Sequence, residues 1–393
     1  MLDVCLVLIL NFFANGLLYL AVWNVLLEEL GFSIGELSVF ITVTFLTQTL
    51  CEMPSGWASD QWGARRTLTV GQLFLLGSLV FFALYPSLLT LIVLAVGTGV
   101  ANALYSDTDT TLVYQRLCAQ GRTQLYPRFL AFYNSLGFVG EGLAAVVGAS
   151  VAEFCGLTAT LWLSIPILLL HLLLVQFLVG KKPARCRQPQ KTRTIWHQGW
   201  QQIRCQPVIR SLMFYAVIVY ALNMLVWYYY QNYAEIMDLP LFYFGILTIA
   251  FAVCEAVPQY LTRFFLNCQQ TARLYVSVIT LTCVCILVAS WRIDALGLVF
   301  LFLSVMLTGF TFPLTDTWLR RGSRVQSWTG LVSFKTFAMI LVFALYNVVF
   351  GALADGYSLS LALMVIGGIS LALTWIFALS QRFLSPPYKN VRL

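Results

Sequence analysis

Between two long apolar runs the chain reads Gly56-Trp57-Ala58-Ser59-Asp60-Gln61-Trp62-Gly63-Ala64-Arg65-Arg66-Thr67-Leu68. These are the residue types of a tight reversal between two packed helices. Gly56 removes a side chain where neighbouring helices would approach. Gly63 permits φ > 0 in the turn itself. Asp60 is suited to accept from N–H groups at a helix N-terminus and from Arg65 or Arg66. The adjacent arginines mark one side of the turn as positive.

Working outward, the turn sits between apolar runs at 36–58 and 68–85, and the pattern continues along the chain. Of 393 residues 60% are apolar and 10% charged, against roughly 45–50% and about 25% in soluble domains. That excludes a soluble enzyme, a disordered chain and a nucleic-acid module. A bilayer core takes about 20 residues of helix, and the further runs fall at 4–27, 88–112, 129–152, 159–179, 208–231, 242–264, 274–290, 296–318, 329–353 and 358–380. The expected fold is all-α and integral to the membrane, with twelve transmembrane helices in two pseudo-symmetric six-helix bundles. The longest polar stretch, 180–207, divides the chain into an N-terminal bundle (1–180), a basic linker (181–207) and a C-terminal bundle (208–393). Trp196, Trp200 and Ile203 in the linker are spaced for one face of a short interfacial helix. The first run carries only Asp3 ahead of it, unlike a cleaved signal with its basic start, and is expected to remain as a span.

Sorting the charges supports this layout. With the N-terminus in the cytoplasm, all of the 23 Lys+Arg except Arg292 and Lys335 fall on one side, as the positive-inside rule requires. Glu28, Glu29, Glu36, Glu153, Glu235, Asp238, Asp294 and Asp355 fall on the other. The net charge of +7 therefore reports topology rather than an acidic partner. The ten cysteines are scattered without a CxxC, and His171 and His197 stand far apart, so neither a disulfide framework nor a metal site is expected.

The halves echo each other. Cys51-Glu52-Met53-Pro54 ends the second run, and Cys254-Glu255, with Pro258 soon after, sits in the eighth. Thr108-Asp109-Thr110 closes the fourth, and Thr315-Asp316-Thr317 the tenth. Arg128 opens the fifth and Lys335 the eleventh. An acid near the membrane interior needs a partner, so ion pairs Asp109–Arg128 and Asp316–Lys335 are expected on the basic side, either as clips within each half or as parts of a gate.

The 56–68 stretch closely resembles motif A of the major facilitator superfamily, G-x-L-A-D-x-x-G-R-[KR]-x-x-L. The twelve-span, two-half plan extends that resemblance over the whole chain. It implies two halves rocking about a central site, with Gly56, Asp60, Gly63, Arg65 and Arg66 as a switch that holds the cytoplasmic side closed. The run Ser106-Asp107-Thr108-Asp109…Leu112-Val113-Tyr114 resembles bacterial drug-efflux-like members. Two positions depart from the pattern. Val93 stands where proton-coupled members carry an arginine before the glycine, here Gly97. Glu141 stands where efflux members often carry proline after glycine.

Glu141 falls near the middle of the fifth run on a glycine-rich face. Together with Asp107 it is the candidate for proton or cationic-substrate coupling, since a carboxyl inside a span suits proton exchange. Asn15 and Tyr19 in the first run, with Asn223, Trp227 and Tyr230 in the seventh, are candidate cavity residues for a flat amphipathic or cationic molecule. An aromatic belt at the membrane interface is the alternative for Trp227 to Tyr230. The resulting expectation is a proton-coupled exporter of a small amphipathic organic molecule, not an enzyme, working as a monomer in a bacterial inner membrane with both termini cytoplasmic. Its partners are the substrate, protons and lipid. It uses no cofactor besides the proton gradient and binds no nucleic acid. An importer or uniporter of a polar metabolite, and a sensor or scaffold without flux, are the competing readings.

Overall fold

The computed structural model describes residues 2–106, 108–178, 200–262, 271–322 and 328–384. Among these residues the regular structure is helical throughout, and twelve helical stretches are long and apolar enough to cross a bilayer. They run from 19 to 33 residues, the length that lets each backbone satisfy its own hydrogen bonds where water is absent. The all-α, twelve-span fold read from the sequence is thus the fold observed.

The chain forms two compact units. One comprises Met1–Gln188 with Leu239–Ile249, the other Pro189–Asp238 with Ala250–Leu393. In the first unit α1 (Leu2–Ala14), a 3-10 turn (Leu18–Val22) and α2 (Trp23–Glu29) share one span. It is followed by α3 (Ile34–Trp62), α4 (Ala64–Leu84), α5 (Leu88–Tyr105), α6 (Thr108–Ala119), α7 (Tyr126–Cys155) and α8 (Leu157–Val175). The second unit opens with a short helix, α9, at 200–205. This covers Trp200 and Ile203 of the expected interfacial helix, whereas Trp196 and most of the linker lie outside the described residues. Then come α10 (Pro207–Ile236), α11 (Phe242–Leu261, whose first turns belong to the first unit), α12 (Thr271–Trp291), α13 (Ala295–Gly309), α14 (Thr311–Gly322), α15 (Trp328–Gly356) and α16 (Leu359–Leu384).

Local chemistry sets the ends. Ser33 and Glu36 close a capping box at the start of α3, and Ser87 with Thr90 does the same for α5, satisfying donors that the first turn leaves free. Asp294 caps α13 by accepting from the Gly297 N–H. That bond, aided by the Arg292 guanidinium, holds its carboxyl below the ordinary value of 3.8. Proline opens α7 and α10, where its missing N–H costs nothing. Large apolar side chains such as Leu50, Phe154, Leu345 and Trp291 are exposed on the surface, where lipid rather than water is their solvent.

Candidate functional site

In the first unit Gly63 ends α3 and opens α4 with φ +80°, the conformation its sequence position predicts. Gly56 is different. Nothing lies within 4 Å of a Cβ built there, so the close helix approach expected at that glycine is absent among the described residues. Asp60 belongs to the last turn of α3, rather than to a helix N-terminus. Its side chain lies outside the described structure, as does Asp107. Arg65 donates to Gln176 Oε1 at 3.1 and 3.3 Å, and Gln176 in turn donates to Thr69 Oγ1 at 2.9 Å. Arg65 therefore joins α4 to the end of the sixth span. Arg66 is exposed.

Close approaches occur at other glycines, among them those of α7. A Cβ on Gly140 would lie 2.5 Å from the Phe12 carbonyl oxygen, and one on Gly148 would lie 2.0 Å from that of Leu18. Gly137 faces the Asn11 and Asn15 amides. The glycine-rich stretch around Glu141 thus receives the first span, which is broken between Ala14 and Leu18. Asn15 donates to the Asn11 carbonyl and side-chain oxygens at 2.8 and 3.0 Å, and Asn11 donates to the Tyr133 carbonyl at 2.7 Å. Glu141 is half-buried beside this seam. Tyr19 is buried against Trp23 and packs inside the unit.

The fourth span is also interrupted, with α5 ending at Tyr105 and α6 beginning at Thr108. Asp109, just past this break, accepts from the Thr110 N–H at 2.7 Å and from the Tyr133 hydroxyl at 2.5 Å. The Asp109–Arg128 pair expected from the repeat is not formed. Arg128 is exposed, and Tyr133, five residues further along α7, reaches the buried carboxylate instead. On the other side of the break the Tyr105 hydroxyl donates to Gln72 Oε1 at 2.6 Å, and Gln72 Nε2 donates to the Leu168 carbonyl at 2.9 Å. Tyr105 has one proton and gives it to Gln72, so His171 Nδ1, 3.2 Å away, acts as donor to the phenol oxygen.

In the second unit Lys335 donates to Asp316 in an ion pair joining the tenth and eleventh spans. The lysine side chain is 12% exposed and the aspartate 55%. Asn223 is buried and donates to Thr308 Oγ1 at 2.7 Å. Tyr229 donates to Asn347 Oδ1 at 2.7 Å. Trp227 and Tyr230 both pack on Phe251, at ring distances of 6.1 and 4.4 Å, and the Phe251 ring lies tilted against Phe302 at 4.3 Å. The pair belongs to an internal aromatic cluster of α10, α11 and α13, not to an exposed belt.

Sequence reasoning brought together Asp316 with Lys335, but missed Tyr133, Gln72, Tyr105, His171 and Asn347. These are single polar residues in apolar runs, and their only signal is that a buried polar group must find a partner.

A family model described as the Major Facilitator Superfamily matches residues 4–334. Similar solved structures include the nucleoside transporter NupG, with a TM-score of 0.73 at 13% identity over 96% of this chain and 99% of that one. A bacterial homolog of the human lysosomal transporter Spinster, in an inward-facing and unoccupied conformation, has a TM-score of 0.75 at 12% identity over 98% of each chain. A POT family transporter in complex with 5-aminolevulinic acid has a TM-score of 0.70 at 11% identity, over 98% of this chain and 96% of that one. No curated protein sequence matches the chain.

Proposed function

We propose, since this chain belongs to the major facilitator superfamily, that it is a secondary transporter exporting a small amphipathic organic molecule in exchange for protons. The observation that carries the reading is the seam in the first unit. A half-buried carboxyl, Glu141, stands on α7 exactly where that helix receives a broken span lined with amides. Discontinuous helices expose polar backbone within a span, and transporters use such places for binding. A carboxyl beside one is placed to exchange a proton as the seam rearranges. On this reading Asn15, Asn223 and Trp227 offer hydrogen bonds and ring surface to the cargo, and the motif turn at Gly56–Arg66 biases which face is open. The protein acts as a monomer in a bacterial inner membrane with its basic face to the cytoplasm. The biased distribution of Lys and Arg supports that orientation.

Proteoliposomes with an imposed pH gradient test this reading. Addition of small amphipathic compounds is expected to release protons across the membrane in wild type and not in Glu141→Gln. Proton movement that persists unchanged in Glu141→Gln removes that carboxyl from the mechanism. The wealth of buried amides, Asn11, Asn223 and Asn347, favours a second reading, uniport or import of a polar metabolite. Under that reading flux would follow the solute gradient without proton movement.

A further inference from the structure

Glu255 is a half-buried acid inside the eighth span, and the packing of α13 within the second unit sets it near Asn223 of α10. Gly309, the last residue of α13, is pressed against the Glu255 backbone, where a Cβ would lie 2.9 Å from the Glu255 carbonyl oxygen. Thr308, next to Gly309, accepts from Asn223 Nδ2 at 2.7 Å. Tyr220 and Asn223 lie three residues apart and so share one face of α10.

The hydrogen-bond chemistry fixes the orientation of Asn223. Thr308 gives its own proton to the Val305 carbonyl at 2.9 Å, so its oxygen accepts from the amide and Asn223 must turn its NH2 toward it. That leaves Asn223 Oδ1 without a partner among the described residues, in a residue only 2% exposed. A bare buried acceptor is destabilising unless a donor arrives. A carboxylate kept inside a span marks a functional position in the same way. Gln259 Nε2 comes no nearer than 3.5 Å to Glu255 Oε1, the outer limit of a hydrogen bond.

We propose that Glu255, Asn223 and Tyr220 form a subsite for the ammonium group of a primary amine. An –NH3+ group carries three donors and no acceptor. The three side chains supply a carboxylate, an amide oxygen and a phenol oxygen. One turn further along α10, Trp227 packs against Phe251 of α11, giving an aryl group on the amine an apolar neighbour. The inference rests on the transporter reading only in taking this amine to be the polar end of the cargo.

The test uses the full-length protein in nanodiscs at pH 7, with 2-phenylethylamine, its trimethylammonium analogue and the isosteric alcohol 2-phenylethanol as probes. Charge-assisted hydrogen bonds are the strong ones, so wild type should bind the amine about tenfold or more tightly than the alcohol. Glu255→Gln should erase that preference. Asn223→Ala should weaken the amine roughly three- to tenfold, the effect of one lost hydrogen bond, and leave the alcohol unchanged. Asn223→Asp, which adds a second anion without adding volume, should tighten the amine and so decides the matter if Glu255→Gln fails to fold. The trimethylammonium probe should bind more weakly than the primary amine, because it has no N–H to offer. Equal binding of amine and alcohol in wild type, or a preference that survives in Glu255→Gln, overturns the subsite. Amine selectivity without proton-linked flux would leave the subsite standing and defeat the exchange mechanism. Proton-linked flux of other solutes without amine selectivity would do the reverse.

Discussion

At the residue scale, the ion pair between Asp316 and Lys335 shows how burial decides which half of a pair matters. The lysine side chain is 12% exposed and the aspartate 55%. Removing the acid strands a mostly buried ammonium, which costs on the order of 1–3 kcal/mol. Removing the lysine leaves an acid that water can still reach, as in exposed pairs worth about 0–1 kcal/mol. Asp316→Asn is therefore expected to lower the melting temperature of the purified protein more than Lys335→Gln does. Equal losses would show that the pair is not organised by burial. This pair was legible in the sequence because acid and base recur at matching places in the two halves. Its counterpart was not. Asp109 has the same flanking threonines, but Tyr133 lies within reach of its carboxylate and Arg128 does not. Sequence position marked the buried acid correctly and could not say which neighbour on α7 would face it.

At the scale of the element, apolar length and caps made the helices readable, and the breaks within them were less so. The interruption of the first span after Ala14 and of the fourth after Tyr105 falls inside apolar runs that hydropathy treats as continuous. Glycines were likewise visible as a pattern on α7, but their purpose was not. Gly140 and Gly148 exist so that the broken first span can lie against α7, with backbone oxygens where a Cβ would be. Gly148→Ala should force that seam apart and cost about 1–3 kcal/mol, the usual range for overpacking, seen as a lower melting temperature. Gly56→Ala has open space around it and should leave the melting temperature unchanged or slightly raised, since alanine favours helix over glycine by about 1 kcal/mol. Altered flux in Gly56→Ala without loss of stability would place this glycine in the conformational cycle. Intact stability in Gly148→Ala would contradict the packing account.

At the scale of the whole molecule, composition, charge asymmetry and internal repetition were enough to reach the twelve-span architecture. They were sufficient because the bilayer constrains spans through length and hydropathy, and those properties are local. The polar sites are not local. Glu255, Asn223 and Thr308 are separated by tens of residues, and their association depends on how α10, α11 and α13 pack, which no spacing in the chain records. The proposed transport cycle requires the cytoplasmic face and the opposite face to open in turn. Paired spin-label distances test it most directly. In a cysteine-free background, one pair is placed on the basic face at Arg122 and Arg210 and a second on the opposite face at Tyr85 and Tyr357, all exposed positions. Across pH 5 to 8 one distance is expected to lengthen as the other shortens, with two populations exchanging. Distances that stay fixed on both faces, or that lengthen together, would contradict it.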